Sequence, residues 1–258
     1  MKRLTTLVMV LICTALSAQA QFNGGSGTEE DPYLIRRPAQ LANLSTILNQ
    51  SEVFVKLQSD IDLTGYLEDE GLATEGWLPI GNNTTPFKGT IIGNGKKIRG
   101  LFINRSSETN IGLFGFLDGA NISNLAIEAT VITGSSYLGA LAGYAKNCSL
   151  NNCQITITNG ISSTSGEYVG GFLGMAYNCN ITNCSVAGSI SSTGANFVGG
   201  LCGGATDGTQ VSNIITAITL NNEGDCTGGL FGITKTVTVT NSQVEGDISG
   251  ISNVGGVI

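Results

Sequence analysis

A short glycine element recurs along the second half of this chain, and its spacing restricts the fold more than any other feature. It reads NIGLFG at 110–115, YLGALAG at 137–143, YVGGFLG at 168–174, FVGGLCG at 197–203 and CTGGLFG at 226–232, and NVGGVI at 253–258 begins a sixth copy. From the first glycine of one copy to the first of the next, the steps are 27, 31, 29, 29 and 27 residues. A second column follows each copy: Asn124, Asn152, Asn183, Asn213 and Asn241, at steps of 28, 31, 30 and 28. Two columns that share one period predict a stacked repeat.

Between the columns, CSLNNCQITIT (148–158), CNITNCSVAGSI (179–190) and VTVTNSQVEGDIS (237–249) alternate apolar with polar residues and are rich in β-branched types. That pattern reads as strand, and no ten-residue stretch of the repeats carries helical periodicity. A unit of 28–31 residues is too short for a propeller blade of roughly 40–45 residues. It fits one coil of an all-β, right-handed parallel β-helix, with about three strands per coil and coils ~4.8 Å apart.

The asparagines have a physical reason in such a fold. A sharp corner needs the left-handed conformation, which Asn tolerates. A buried amide also needs partners, and stacked amides supply one another. The second glycines of the Gly-Gly pairs, Gly171, Gly200 and Gly229, predict bulges, corners or a strip of close approach. Val169 and Phe172 have opposite parity, so one regular strand cannot point both inward, and the facing of these glycines stays open.

Composition narrows the function. Of 258 residues, 37 are Gly, 41% are hydrophobic and 12% charged, with a net charge of −7 and no histidine. Such a chain should fold, unlike a highly charged disordered one. Its acidity disfavours nucleic acid, and only Lys146 and Lys235 are basic after Arg105. Without histidine, zincin chemistry and Ser-His or Cys-His nucleophiles are excluded. No cofactor is implied.

Residues 1–20 read as a secretory signal: Lys2 and Arg3, an apolar run, then AQA at 18–20, with cleavage expected after Ala20. Cys13 lacks the small preceding residue of a lipidation site. No later run is long enough to span a bilayer, so an exported, extracellular or cell-surface chain is expected. Residues 21–110 lack the clean repeat and read as an N-terminal cap with irregular first coils; residues 111–258 carry the repeats. Leu41, Leu44, Ile47 and Leu48 lie on one helical face after Pro38, which predicts a short amphipathic helix capping the open apolar end of the stack. The GNG at 93–95, between two apolar runs, predicts a tight turn, and an irregular first coil is expected to end near Gly100.

The stretch PFKGTIIGNGKKIRGLFI (86–103), followed by NIGLFG and YVGGFLG, resembles the GLUG-motif proteins, exported bacterial surface proteins found notably in gut Bacteroidetes. GSGTEEDPYLI with AQLANL is similar to their leading segment. The resemblance covers roughly residues 24–258 and implies a β-solenoid on the cell surface. It carries over no catalytic residue, and Ile92 stands where an Asp is expected before GNG.

Enzymatic β-helices collect carboxylates, with Ca²⁺ and an Arg or Lys base in lyases or as paired acids in hydrolases. Counted back six residues from each column Asn, one position holds Asp118, Lys146, Tyr177, Asp207 and Lys235. This predicts cross-coil ion pairs, Asp118 with Lys146 and Asp207 with Lys235, each worth ~0–1 kcal/mol. The acidic run Asp60, Asp62, Glu68, Asp69, Glu70 and Glu75 lacks EF-hand spacing and reads as a solvated loop rather than a metal site.

The cysteines fall into register. Cys148 shares a column with Ala120, Cys179, Thr209 and Val237, and Cys153 with Leu125, Cys184, Ile214 and Ser242. Mostly small or apolar partners predict an inward facing and buried thiol ladders. Neighbouring coils also place each pair within disulfide range, and a four-thiolate zinc site is disfavoured in a dry core. Cys202 and Cys226 are out of register and expected to be unpaired. The function expected is that of a surface β-solenoid serving as an adhesin-like binding or structural module for a glycan or host protein. A β-helix polysaccharide lyase or glycoside hydrolase is the alternative, and oligomeric state is open. Because the chain stops within a sixth copy, a truncated or end-to-end assembling solenoid is also expected.

Overall fold

A computed structural model describes residues 21–48, 50, 52–163 and 165–257. The signal-like segment and Cys13 lie outside them. The described chain is a parallel β-solenoid whose inter-strand pairings, apart from one isolated antiparallel bridge between Gly76 and Ile103, run in parallel register.

One coil shows the plan. Strand Val169–Gly170 opens it, Leu173–Tyr177 follows, then Asn180–Thr182 and Ser185–Ser192. These four straight segments belong to three sheets of 4, 5 and 15 strands. The expectation of about three strands per coil undercounts because the largest sheet bends at the Asn corner and continues beyond it. The bend between Val169–Gly170 and Leu173–Tyr177 resolves the parity conflict. Val169, Gly170, Gly171, Phe172 and Leu173 are all buried, since a corner separates the two strands.

The core is a set of stacked columns. Ile91, Ile122, Leu150, Ile181 and Val211 sit one above another, each at 2% exposure or less. Truncating one of its Ile or Leu residues to Ala costs about 2–5 kcal/mol, because a stack has little freedom to collapse. The glycines make the stacking close. A Cβ on Gly171 would lie 2.5 Å from Gly200 O, one on Gly200 2.2 Å from Gly229 O, and one on Gly229 2.1 Å from Gly256 O. What approaches this strip is the next coil, and no bulge is required.

Stacking begins before the glycine repeats. Tyr33 pairs with Val55, Val55 with Ile91 and Ile91 with Ile122, at steps of 22, 36 and 31 residues. The capping segment is shorter than an amphipathic helix over 38–48 would be: an α-turn at Pro38–Ala42 passes into a 3₁₀ turn at Asn43–Thr46. It still buries Leu41, Leu44 and Ile47 in the core. Trp77 closes the seam, 2% exposed, with its Nε1 donating to Leu113 O at 3.0 Å. GNG is a corner but does not reverse the chain: Thr90–Asn104 is one strand, and Gly93, Asn94 and Gly95 together stand opposite Asn124. Asn94, at φ 57, is therefore the first member of the Asn column, and Gly100 marks no coil boundary.

Two corners, each held by left-handed residues, shape every repeat. Asn124, Asn152, Asn183, Asn213 and Asn241 have φ between 47 and 56. Their side chains are exposed, not buried, because a left-handed corner turns the side chain away from the core. Outside, they still form a ladder: Asn152 Nδ2 donates to Asn124 Oδ1 at 2.6 Å and Asn213 Nδ2 to Asn183 Oδ1 at 3.0 Å, while Asn183 Nδ2 reaches Asn151 Oδ1 at 2.9 Å. The second corner holds Gly119, Asn147, Asn178, Asp207 and Thr236, all at positive φ. There Asn178 Nδ2 donates to Asn147 Oδ1 at 2.8 Å, and Asn147 Nδ2 to Asp118 Oδ1 at 3.2 Å.

Candidate functional site

The outward columns beside the glycine strands carry rings. One column, at or just before the start of each opening strand, reads Asn110, Tyr137, Tyr168, Phe197, Cys226 and Asn253. The other, on the next wall, reads Phe116, Tyr144, Met175, Gly204 and Ile233. The corner between the walls brings them together. Phe116 stacks on Tyr144 at 4.6 Å, Tyr144 meets Tyr137 at 5.9 Å, Tyr137 stacks on Tyr168 at 5.1 Å, and Tyr168 stacks on Phe197 at 5.2 Å. The result is a continuous ribbon of five half-buried rings crossing four coils.

The ribbon is a slipped stack. Aromatic carbons touch at about 3.5–4.0 Å, so centroids near 5 Å imply that each ring is displaced sideways over the next. All five residues stay half-buried, so part of each side chain remains accessible. Gly204 leaves room for this. A Cβ there would lie 2.7 Å from both Tyr168 Cδ1 and Met175 Sδ, so Tyr168 rests across the backbone of the next coil. Burial raises the phenol pKa of Tyr137, Tyr144 and Tyr168 above the ordinary value of 10.0, with Glu167 adding to the rise at Tyr137 and Tyr168. All three are neutral hydrogen-bonding groups at physiological pH.

Backbone strain marks the same place. Tyr137 has φ 58 and Tyr168 φ 23, whereas Asn110 and Asn253 fill the ends of this column at φ 59 and 49. A bulky residue held there costs about 1–3 kcal/mol, and an aromatic contact returns about 0.5–1.5 kcal/mol. Stacking thus does little more than offset the strain, while Asn would satisfy the corner without it.

Other positions singled out in the sequence are dispersed over separate contacts. Asp118 and Lys146 are in register but form no ion pair among the described residues: Asp118 accepts from Asn147, and Lys146 Nζ lies 5.8 Å from the Tyr177 ring centroid. Asp207 and Lys235 are out of register, because Lys235 pairs with Thr206. The corner Asp207–Gly208–Thr209 has one residue more than Asn178–Cys179, which displaces Asp207 by one position. The acidic run is dispersed: Asp60 pairs with Arg99 at 3.1 Å, and Asp62 accepts the Thr64 N–H at 3.0 Å, which lowers the Asp62 pKa. Among the described residues no cluster of three or more His, Cys, Asp or Glu is arranged to hold a metal. Cys148, Cys153, Cys179 and Cys184 are buried thiols in the two columns expected of them, and Cys202 and Cys226 are free thiols. The groove beside the Asn ladder, about 390 Å³, is lined by Asn94, Lys97, Asn124, Asn152 and Gln154.

Nothing in the sequence periodicity pointed to the ribbon, although a ring does precede the glycine element at Tyr137, Tyr168 and Phe197. The second ring column is two residues into a different wall, and only the corner joins the two.

The stacked parallel coils and their paired corners define a β-solenoid, and the comparisons agree. A solved chain from Bacteroides ovatus, named as an immunoglobulin A1 protease, superposes with a TM-score of 0.52 at 17% identity, covering 92% of this chain and 87% of that one; the likeness is one of fold. The sequence profile described as "The GLUG motif" matches residues 165–191, so the solenoid carries the GLUG motif. Two curated relatives align with just under half of the chain. A protein of Evansella cellulosilytica named as a Gly-rich membrane protein is 44% identical over 126 residues, and halomucin of Haloquadratum walsbyi is 39% identical over 123. The aligned regions span only 14% and 1% of those proteins' own lengths. Among the described residues no helix is long and apolar enough to cross a membrane.

Proposed function

We propose that this solenoid is a non-catalytic binding module, displayed at the cell surface of the organism that exports it, and that it holds an extracellular glycan along the ring ribbon. The observation that carries this reading is the strained pair Tyr137 and Tyr168 within a continuous row of five rings. Residues held in sparsely populated backbone regions cluster at functional positions. Partly accessible rings accept the apolar C–H faces of sugars, and neutral phenols offer hydrogen bonds to hydroxyls. Surface display rests on the signal-like residues 1–20 and on the membrane and mucin names of the two relatives.

An enzyme of the lyase or hydrolase type would need carboxylates, or a carboxylate and a base, converging at one cleft. Asp118, Lys146 and Asp207 make other contacts instead, and the chain has no histidine for the triad chemistry that a protease name would suggest. Screening the protein against immobilised glycans, alongside reducing-end release from the same polymers, tests the proposal. Retention without turnover is expected. Turnover abolished by Asp118→Asn or Asp207→Asn would replace binding with catalysis.

A further inference from the structure

We propose that Cys148 and Cys179 form a redox-active pair that closes to a cross-coil disulfide by exchange with a small-molecule disulfide, admitted through the groove at the second corner. The two residues occupy one column on adjacent coils, directly before the in-register partners Ser149 and Asn180. In-register parallel neighbours stand ~4.8 Å apart, inside the roughly 4.4–6.8 Å between Cα atoms that a disulfide accommodates. The Cys179 sulfur leans toward the earlier coil, 3.4 Å from Ala145 O. It thus lies between the two coils that the bond would join.

A groove separates this pair from Cys153 and Cys184. About 260 Å³ in volume, it is lined by Asn147, Cys148, Asn178, Cys179, Gly208 and Gln210, among others, and so borders both cysteines, which are 3% and 2% exposed. The corner Asp207–Gly208–Thr209 above Cys179 is one residue longer than Asn178–Cys179, and a Cβ added on Gly208 would meet only Asn178 Oδ1, at 3.9 Å. The pair is also isolated within its column, with Ala120 below Cys148 and Thr209 above Cys179, where the Thr209 hydroxyl lies 3.2 Å from the Cys179 amide nitrogen. The Cys148 thiol donates to Lys146 O at 3.1 Å. The longer corner lies over Cys179, so Cys179 is the thiol that a small disulfide entering the groove meets first.

The exchange proceeds in two steps. The Cys179 thiolate attacks one sulfur of the small disulfide, breaking its S–S bond, forming a mixed disulfide and releasing one thiol. The Cys148 thiolate then attacks the Cys179 sulfur, forming the cross-coil bond and releasing the second thiol. Two protein thiols lose two protons and two electrons, and the small disulfide is reduced to two thiols.

The test uses the folded full chain with oxidised glutathione. After incubation, exposed thiols are alkylated, the protein is denatured without reductant and alkylated again. Cleavage after Glu167 separates Cys148 and Cys153 from Cys179 and Cys184. The expected result is a mass lower by two hydrogens, a Cys148–Cys179 linked peptide pair, and Cys153 and Cys184 recovered as thiols. Cys179→Ser should abolish the link. Recovery of all four as thiols, or preferential linkage of Cys153 to Cys184, would overturn the proposal on the unmodified protein alone, whatever the variant does.

Discussion

Asn152 donates its side-chain amide to Asn124 Oδ1 at 2.6 Å across one coil step, and both residues stand in the left-handed region, at φ 52 and 54. Each asparagine therefore serves twice, once for a backbone that other residues adopt at a cost and once for a rung between coils. Asn152→Ala loses both, about 1–2 kcal/mol of backbone preference and about 0.5–1.5 kcal/mol for the hydrogen bond. Asn152→Gly keeps the backbone and loses only the rung. The urea midpoints should rank wild type above the Gly variant and the Gly variant above the Ala variant; equal midpoints for Gly and Ala would show that the corner conformation carries no weight.

The glycine strip makes a steeper contrast. At Gly200 an added Cβ meets Gly229 O at 2.2 Å and Ile218 Cγ2 at 3.0 Å, and a backbone carbonyl cannot swing aside. At Gly256 nothing lies within 4 Å. Gly200→Ala should destabilise by about 3 kcal/mol or more, at the upper end of overpacking, and Gly256→Ala should stay within about 0.5 kcal/mol. Thermal melts of the two proteins read the difference directly.

The ribbon gives the fold an alkaline limit. Tyr137, Tyr144 and Tyr168 have folded pKa values raised above 10.0, chiefly by burial. The folded state therefore holds these protons more tightly than the unfolded state. Their contribution is fully present below about pH 10, the ordinary value for tyrosine, and is lost as pH rises through the folded values. Stability should be level on this account to about pH 9 and fall above pH 10, and replacing all three with Phe should flatten that fall. Denaturation midpoints measured across the alkaline range check it.

Gly204 has a different consequence. Gly204→Ala should displace Tyr168 and Met175, whose atoms lie 2.7 Å from where the added Cβ would stand. Near-ultraviolet circular dichroism should then change while the far-ultraviolet strand signal is retained. An unaltered aromatic spectrum would mean that Tyr168 does not rest on that strand.

How much of this was legible in the sequence depended on whether one residue could report a feature alone. The coil period was legible because a left-handed corner selects Asn at Asn124, Asn152, Asn183, Asn213 and Asn241. The inward cysteines were legible because burial selects small apolar neighbours. The second corner was hidden, since Gly119, Asn147, Asn178, Asp207 and Thr236 satisfy the same φ with four residue types. Register failed at Asp207 because corners vary in length where strands do not, and counting back from Asn213 crossed the longer one. The ribbon was hidden for a geometric reason: Tyr137 and Tyr144 are seven residues apart in sequence, and only the bend between two walls brings them together.

If the strained rings hold a glycan, insoluble polysaccharide should deplete the protein from solution through them. Tyr137→Ala with Tyr168→Ala removes the two strained rings and should leave the solenoid folded by far-ultraviolet circular dichroism. Wild-type protein should be retained on at least one polymer, and the double variant should bind about tenfold more weakly or worse, as expected for loss of an aromatic anchor. Equal retention of wild type and the folded double variant on that polymer would contradict the account.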